Sequence, residues 1–465
     1  MAKLYIFGIG GTGARVLRSF TMMMASGVSI GSDEIVPIII DPDASNADLT
    51  RTVALMNNYR AVHSELTFTK KNESQFFRKE LSQILVNYTL RINDTDDKTF
   101  QQFIDLPSME KSSQAMMRML FSEKNLASSM DVGFKGNPNI GSIVLNQIVD
   151  SNDFQDFANN FESGDKIFII SSIFGGTGAS GFPLLLKTLR TGTSFPNNDL
   201  INKAEIGAIT ILPYFKLKND DESEIDSSTF ISKTKSALAY YENNISKNGS
   251  IDALYFLADN MTNTYENHEG GSAQQNDAHL IEFLAATAIV DFSNKAHQNT
   301  ANKELGLKDV TGGAITFDSF YDKQKKMLFA PLTEFMMMAN CLTHKMGYYS
   351  SKDFNANNDN FNGLYTSSFM SELQSMATLF IEWLDEMKRN KRSLDLFNLN
   401  SKDKPFDIVT GCKPKKIVSL KSDYDLVTDR LNSAVKKCQS NDNNDKFLEM
   451  FYLGMSRLFN EKFNS

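Results

Sequence analysis

Glycine, threonine and serine cluster in short loops that follow apolar segments, an arrangement that can bind phosphate. Near the N-terminus, Gly8, Gly10 and Gly13 have the G-x-G-x-x-G spacing and follow the apolar run Lys3–Phe7. The residues that lead into the next helix are Gly10, Gly11, Thr12 and Gly13. This spacing is typical of a dinucleotide-binding turn, but a phosphate loop of another nucleotide-binding family has the same features. No Lys-Ser or Lys-Thr pair follows the glycines, which excludes a Walker A loop.

A second glycine-rich loop follows the apolar segment Lys166–Ser172. Its residues are Gly175, Gly176, Thr177, Gly178, Ala179 and Ser180. Such a loop exposes successive backbone N–H groups at a helix N-terminus, where phosphate binds, and Thr177 and Ser180 can add hydroxyl donors. One NAD site does not need a second phosphate loop so far along the chain, whereas a nucleotide with a polyphosphate tail can be held from several strand ends.

A third segment, GNPNIG, lies between the first two loops in the sequence and has a turn signal at Asn137-Pro138. Its glycines, together with the nearby Gly133, can approach an anion closely because they carry no side chain. Gly136 and Asn137 are therefore candidate phosphate-binding residues.

The elements around these loops predict an α/β fold. Lys3–Phe7, the helix Arg15–Ala25 and the strand Glu34–Ile40 form a βαβ unit, and Asp41 follows its second strand. In a dinucleotide-binding fold, Asp41 would hold the ribose hydroxyls; alternatively, it caps a strand end. Further strands are predicted at Ile206–Tyr214 and Ile251–Leu257, and apolar residues predict a long interior helix at Asp277–Phe292. The segment QFFRKELSQILVNYTL is predicted to be helical, within a mostly helical insertion near residues 50–130.

Composition narrows the class of protein. The chain has 465 residues, 41% of them hydrophobic, and a formal net charge of −8, which argues against a general binder of nucleic acid or anionic membrane. Its three cysteines form no CxxC pair, so a structural zinc site or disulfide framework is not expected. No signal peptide or membrane-spanning run is recognised in the sequence. These features together predict a cytoplasmic protein.

Taken together and in this order, the segments resemble the tubulin/FtsZ superfamily of GTP-binding proteins. FGIGGTGARV is similar to the first glycine loop of that family, and IFGGTGASGFP is similar to its GGGTG(S/T)G signature, with Phe174 in place of the first glycine. GNPNIG resembles the loop that approaches the terminal phosphate in the bacterial branch. AITILPYF and SIDALYFLADNM resemble the strands that follow the signature helix. The matches span roughly the first 290 residues.

The resemblance implies a guanine nucleotide, GTP or GDP, with Mg²⁺ held mainly by phosphate and water. It implies Asn260 near the ribose and Asn276 at the base, although Asn276 is also a suitable N-cap for the long helix. His279, in the same segment, is interpreted as a core histidine. The long segment between Asp43 and the third loop makes the chain look like a divergent bacterial tubulin-like protein.

The fold expected is therefore a mostly parallel sheet flanked by helices, of the tubulin/FtsZ type, with a helix-rich C-terminal part. Residues 1–293 would form the nucleotide-binding domain, including the insertion, and residues 294–465 a helix-rich domain. The acidic loop that activates water in the family has no recognised counterpart after Phe292, so no catalytic residue is assigned and no metal ligand is named.

Three functions stay open at this stage. The first is a tubulin-like GTP-binding protein, a GTPase if it hydrolyses GTP, that self-assembles into filaments or oligomers. The second is an NAD(P)-dependent Rossmann oxidoreductase, which leaves the second glycine loop unexplained. The third is a nucleotide-sensing scaffold that binds GTP without turnover and recruits a protein partner through its helical C-terminal half.

Overall fold

The structure, a computed structural model, describes residues 2–43, 45–69, 71–93, 95–130, 134, 137–217, 230–260, 264–265, 275–294, 303–304, 307–308, 313–357, 360–415 and 421–463. Its strands are β1 (Lys3–Ile9), β2 (Glu34–Ile40), β3 (Glu80–Leu81), β4 (Lys166–Ser172), β5 (Glu205–Ile211), β6 (Lys216–Leu217), β7 (Ala253–Leu257), β8 (Thr264–Tyr265) and β9 (Lys303–Glu304). Its helices are α1 (Gly10–Ala25), α2 (Ala47–Ser64), α3 (Phe100–Phe103), α4 (Lys111–Leu120), α5 (Glu123–Leu126), α6 (Pro138–Leu145), α7 (Asn152–Asn160), α8 (Gly176–Thr191), α9 (Asn198–Ile201), α10 (Phe230–Tyr241), α11 (Leu280–Ser293), α12 (Asp322–His344), α13 (Met346–Tyr349), α14 (Ser368–Arg389), α15 (Asp423–Ala434) and α16 (Asn443–Lys462).

The main sheet has the strand order β3-β2-β1-β4-β5-β7-β9, and every neighbouring pair is parallel. Phe7 in β1 is aligned with Ile38 in β2 and Ile169 in β4. The central strands are apolar and buried on both faces, as parallel strands covered by helices are. Because all strands run the same way, their carboxyl ends lie along one edge. The predicted α/β fold with a mostly parallel sheet flanked by helices is confirmed.

Helix α11 is the buried central helix that the sequence predicted, but it begins later. It packs against β5, β7 and α1, and nearly all of its residues are buried. The expected start at Asp277 is wrong, because His279 is the N-cap: its Nδ1 accepts a hydrogen bond from the backbone N–H of Ile281 at 3.0 Å. Asn276 therefore lies in the segment before the helix, and its expected role as N-cap is wrong.

The segment 75–90 is not the predicted helix. Its centre is β3, which pairs with β2, and the N–H of Glu80 donates to the carbonyl oxygen of Asp33 at 3.1 Å. Phe76 and Phe77 are fully buried just before this strand. Pairing with the sheet edge and burial of the two rings override the helical preference of the sequence.

The C-terminal part is rich in helices, as predicted, and packs on the N-terminal part. Helix α14 contacts α2 and α12, while α16 contacts α12 and α15. The indole N–H of Trp383 in α14 donates to the hydroxyl of Ser19 in α1 at 3.3 Å. In the described part of the chain, no helix is long and apolar enough to cross a membrane. The domain boundary after residue 293 stays a prediction.

Candidate functional site

Two helices begin at the carboxyl ends of the neighbouring strands β1 and β4. Helix α1 begins at Gly10, and α8 begins at Gly176. Their N-cap residues, Ile9 and Gly175, make no side-chain capping hydrogen bond, whereas α2, α7 and α14 are capped by asparagine or serine side chains. The first N–H groups of α1 and α8 are therefore not satisfied by a side-chain cap. Such groups are the donors that bind anions at helix N-termini.

The glycines of the first loop have two structural roles. Gly10 has a φ of +71°, in the left-handed region where glycine is favoured. A Cβ atom on Gly13 would lie 2.4 Å from the carbonyl carbon of Gly8, so glycine at this position lets α1 lie directly against β1. Gly11 and Thr12 are partly exposed, and they are the residues of this loop that a ligand can reach.

The second loop lies over Ser172, the last residue of β4. A Cβ atom on Gly178 would lie 2.7 Å from the carbonyl oxygen of Ser172 and 2.8 Å from its nitrogen, so α8 also needs glycine where it crosses the strand end. The partly exposed residues of the loop are Gly175, Thr177 and Ala179, and the buried ones are Gly176, Gly178 and Ser180.

Ser180 uses its hydroxyl inside the helix. The hydroxyl donates to the carbonyl oxygen of Gly176 at 2.8 Å, and the carbonyl oxygen of Thr177 lies 3.2 Å away. Of the two hydroxyl side chains that the sequence suggested as phosphate donors, Thr177 is the exposed one. The sequence could not distinguish them, because both lie within the first turns of α8.

The two loops lie side by side. A Cβ atom on Gly10 would lie 3.5 Å from the Cβ of Thr177 and 3.9 Å from the backbone nitrogen of Gly178. A Cβ atom on Gly181 of α8 would lie 2.9 Å from Cγ2 of Ile9, the last residue of β1. The N-termini of α1 and α8 are thus adjacent at the carboxyl edge of the sheet, which brings together two of the three loops that the sequence singled out.

The third segment contributes α6, which packs against α8. Gly141 lies against the side chains of Ser180 and Phe134, with no room for a Cβ atom. Asn137 is the N-cap of α6 without a side-chain capping hydrogen bond, one helical turn before that contact. Gly136 lies outside the described residues.

Asp41 lies at the end of β2, beside the first loop. Its side chain is buried, and Oδ1 accepts a hydrogen bond from the backbone N–H of Asp43 at 3.1 Å. Burial raises the pKa of Asp41 from 3.8 to about 7, and the charge of Asp43 acts in the same direction. A carboxyl group that titrates near neutral pH can accept or donate a hydrogen bond. The contact of Asp41 with a ribose stays a prediction.

Asn260 is exposed after β7, where the C-terminal part of the chain reaches the sheet edge. Its backbone N–H donates to Asp259 Oδ1 at 2.8 Å, and Asp259 Oδ2 lies 2.8 Å from Nε of Arg392. Arg392 follows α14. The end of β7 is therefore held by an ion pair to the C-terminal part, and the proposed contact of Asn260 with a ribose stays a prediction.

Asn276 is held by a buried carboxylate. Its backbone N–H donates to Asp48 Oδ1 at 2.9 Å, and its side-chain amide donates to Asp48 Oδ2 at 2.7 Å. Asp48 in turn lies 3.0 Å from a guanidinium nitrogen of Arg15. The orientation of the Asn276 side chain is thus fixed by a residue at the start of α2.

Arg15 is the centre of a buried polar network that the sequence did not reveal. Besides Asp48, its guanidinium contacts Glu282 in α11 and the hydroxyl of Tyr214. Burial acts to lower the pKa of Arg15, but Glu282, Tyr214 and Asp48 outweigh it and raise the pKa. Burial, together with the charge of Arg15, lowers the pKa of His279 to about 3, so that histidine is neutral. Helical spacing places Arg15 away from the face formed by Val16, Leu17, Phe20 and Met24, so the sequence carries no local signal that this guanidinium is buried among carboxylates.

Phe174 fills the position where the family signature has glycine. Its ring lies against Tyr214, Phe215 and Phe230, with centroid distances of 6.1, 5.6 and 5.2 Å. The side chain points into an aromatic cluster, so the departure from glycine is accommodated by packing. Among the described residues, no group of three or more His, Cys, Asp or Glu side chains is arranged to hold a metal ion.

Solved structures similar to this chain include tubulin/FtsZ-family proteins. A GTPγS-bound protofilament of CetZ2 from Haloferax volcanii is 12% identical, with a TM-score of 0.27 over 56% of this chain and 49% of that one. A GDP-bound monomer of CetZ1 from the same organism is 15% identical, with a TM-score of 0.28 over 55% and 51%. CetZ from Methanosaeta thermophila is 15% identical, with a TM-score of 0.26 over 56% and 46%.

The chain spans about half the length of these structures. The identities and TM-scores are low, so the function proposed below rests on the strand order and the loops of this chain and not on these structures. No protein-family model matches the sequence, and no curated relative matches it.

Proposed function

We propose that this chain is a tubulin-like protein that binds GTP or GDP, with the phosphates against the N-termini of α1 and α8. The observation that carries the proposal is the adjacency of two helix N-termini without side-chain caps at Gly10 and Gly176. Each N-terminus bears about half a positive charge, and two of them side by side favour a polyanion over a single small ion.

Backbone N–H groups, rather than basic side chains, would bind the phosphates. Arg15, the basic residue next to the first loop, is paired with Asp48 and Glu282 on the buried side of α1. It is therefore not the phosphate partner in this proposal. Thr12 and Thr177, both partly exposed, would add hydroxyl donors.

The rest of the nucleotide would extend along the carboxyl edge of the sheet. In this proposal Gly136 and Asn137 approach the terminal phosphate, and Asp41 and Asn260 lie near the ribose. Asn276, oriented by Asp48, contacts the base. Mg²⁺ would be held mainly by phosphate oxygens and water.

Thermal unfolding tests which nucleotide the chain binds. We expect GTP and GDP to raise the melting temperature, with ATP and NAD(H) giving little change, because a ligand that binds only the folded state stabilises it. The substitution Gly176→Asp places a carboxylate at the start of α8 and should abolish the shift. The matched control is Gly347→Asp in α13, where a side chain meets open space.

Stabilisation of the wild-type chain by NAD(H) but not by guanine nucleotides would contradict the proposal and favour the Rossmann oxidoreductase. Identification of the nucleotide that copurifies with the protein, by chromatography after denaturation, checks the same point without added ligand.

We also propose that the protein self-associates and hydrolyses GTP with an acidic residue supplied by a neighbouring subunit. Phosphate release and light scattering, each measured over a range of protein concentrations, test both parts. Turnover per molecule should rise together with assembly. Tight GTP binding without phosphate release at high protein concentration would instead favour a nucleotide-sensing scaffold.

A further inference from the structure

A groove of about 700 Å³ lies between α1, α2 and α14, and the proposed function does not use it. Its volume is within the range of small-molecule sites. The side chains that line it form a stripe along α14 (Glu372, Ser375, Leu379, Glu382 and Glu386) and face residues of α2.

One end of the groove carries excess positive charge. Arg18 and Arg51 both bind the carboxylate of Glu386, at distances of 2.7 to 3.1 Å, and the backbone N–H of Ala278 donates to the same carboxylate at 2.8 Å. Two guanidinium groups thus share one carboxylate whose acceptor sites are filled. Arg51 keeps 22% of its side-chain surface exposed. This end therefore offers hydrogen-bond donors and a net positive charge to an anionic group.

The other end offers acceptors. The side-chain amide nitrogen of Asn58 donates to the carboxylate and to the main-chain carbonyl oxygen of Glu372, which fixes the orientation of the amide. Asn58 is 9% exposed, and its Oδ1 is a buried atom with no hydrogen-bond partner in the structure. The acceptors that a ligand can reach at this end are the exposed hydroxyl of Ser375 and the remaining sites of the partly exposed Glu372, which can accept hydrogen bonds from an ammonium group.

The two ends are joined by apolar side chains. Met22, Leu55 and Leu379 line the middle of the groove. Arg51 and Asn58 are seven residues apart on α2, a separation of roughly 10 Å along the helix axis. Glu382 also lines the groove, but it is exposed, and among the described residues neither arginine forms an ion pair with it.

We propose that this groove binds a small zwitterion, with its anionic group at Arg18 and Arg51 and its ammonium group at Glu372 and Ser375. The ligand has an aliphatic body that lies on Leu55 and Leu379. None of the residues that line the groove belongs to the glycine loops, although Arg51 also donates to the carbonyl oxygen of Asn276 at 3.4 Å.

The probe is 6-aminohexanoate, with hexanoate and hexan-1-amine as matched ligands that each lack one charged group. Binding to the wild-type chain is measured by calorimetric titration or saturation-transfer NMR. The zwitterion should bind about tenfold more tightly than either matched ligand, because only it can use both ends of the groove.

The variants Arg51→Gln and Glu372→Gln should each weaken binding of 6-aminohexanoate about fivefold. The matched control Glu382→Gln, on the same helix, should change it less than about twofold. Equal binding of all three ligands, no binding of the zwitterion, or an equal effect of Glu382→Gln and Glu372→Gln would overturn the proposal. The ligand comparison needs only the wild-type chain, so it holds even where a variant does not fold.

Discussion

The two glycine loops begin helices in the same way, but Gly10 and Gly13 of the first loop differ from Gly175 of the second in why glycine is present. In the first loop, Gly10 has a left-handed backbone and Gly13 touches the backbone of Gly8, so the chain itself requires glycine. In the second loop, Gly175 has ordinary extended dihedrals, φ −81° and ψ 171°, and a Cβ there would meet only the hydroxyl of Ser172 at 3.0 Å. Of Gly10, Gly13, Gly175 and Gly178, Gly175 is thus the one for which the fold gives the weakest reason for glycine, and in the proposed function a bound phosphate supplies that reason.

The largest effect expected is that of Gly13→Ala. A Cβ atom 2.4 Å from the carbonyl carbon of Gly8 is a contact that no side-chain rotation can relieve, because the backbone fixes the position of the Cβ and the atom that it meets is itself backbone. We expect the free energy of unfolding to fall by about 4 kcal/mol or more, and denaturant unfolding measures it. A decrease in the free energy of unfolding of less than about 1 kcal/mol would contradict the view that the fold requires glycine at Gly13 more strictly than at Gly175.

Asp41, the buried carboxyl beside the first loop, should make stability depend on pH. Its pKa in the folded chain, about 7, is above the ordinary 3.8, so its contribution is fully present below pH 3.8 and is lost as the pH rises through 7. The substitution Asp41→Asn replaces the carboxyl group by an amide that does not ionise, so the variant does not lose this stability as the pH rises. We expect the variant to be more stable than the wild type by roughly 4 kcal/mol at pH 8, with a difference that shrinks toward pH 4.

Chemical denaturation at several pH values measures the effect of Asp41→Asn. The matched control is Asp403→Asn, whose side chain is 89% exposed and should show no comparable pH-dependent gain. A pH-independent difference for Asp41→Asn would mean that this carboxyl stays ionised in the folded chain.

Gly10→Ala should have an intermediate effect. The left-handed backbone at φ +71° costs an alanine about 1 to 2 kcal/mol, while the space around Gly10 accepts a methyl group, with its nearest neighbour at 3.5 Å. Thermal or denaturant unfolding in the absence of nucleotide measures this cost. Gly10→Asn is the informative control, since asparagine tolerates this conformation better and should recover part of the loss.

Gly175→Ala should change stability least, by less than about 0.5 kcal/mol, because its dihedrals suit any residue and Ser172 can rotate. Its GTP affinity should nevertheless fall about tenfold, since the methyl group projects where a phosphate would lie. Measuring both the free energy of unfolding and the GTP affinity of Gly175→Ala decides whether Gly175 is needed for the fold or for the ligand. A large loss of stability with unchanged affinity for GTP would show that Gly175 has a structural role, like Gly10, Gly13 and Gly178.

The sequence predicted the elements that depend on local pattern. Strands β1, β2 and β4 and the turns after them follow from apolar runs and glycine spacing, and the buried character of α11 follows from its continuous apolar composition. These features are set by residues close together in the chain.

The features that the sequence missed depend on partners far apart in the chain. Arg15 is 33 residues from Asp48 and 267 residues from Glu282. Residue spacing within a helix or a loop cannot predict contacts between residues so far apart in the chain. The start of α11 was misplaced because Asn276 is a good N-cap by type, but its amide is engaged by Asp48. Segment 75–90 was misassigned because pairing with β2 decides its structure.

The ion pair between Arg18 and Glu386 also bears on how the chain is made, because 368 residues separate the two partners. Translation proceeds at about 10 residues per second. Glu386 therefore emerges from the ribosome about half a minute after Arg18. A similar interval separates the synthesis of Ser19 from that of Trp383, whose indole N–H donates to the Ser19 hydroxyl. Arg18 and Ser19 of α1 therefore lack these two partners during most of the synthesis of the chain, while the neighbouring α2 is made soon after α1.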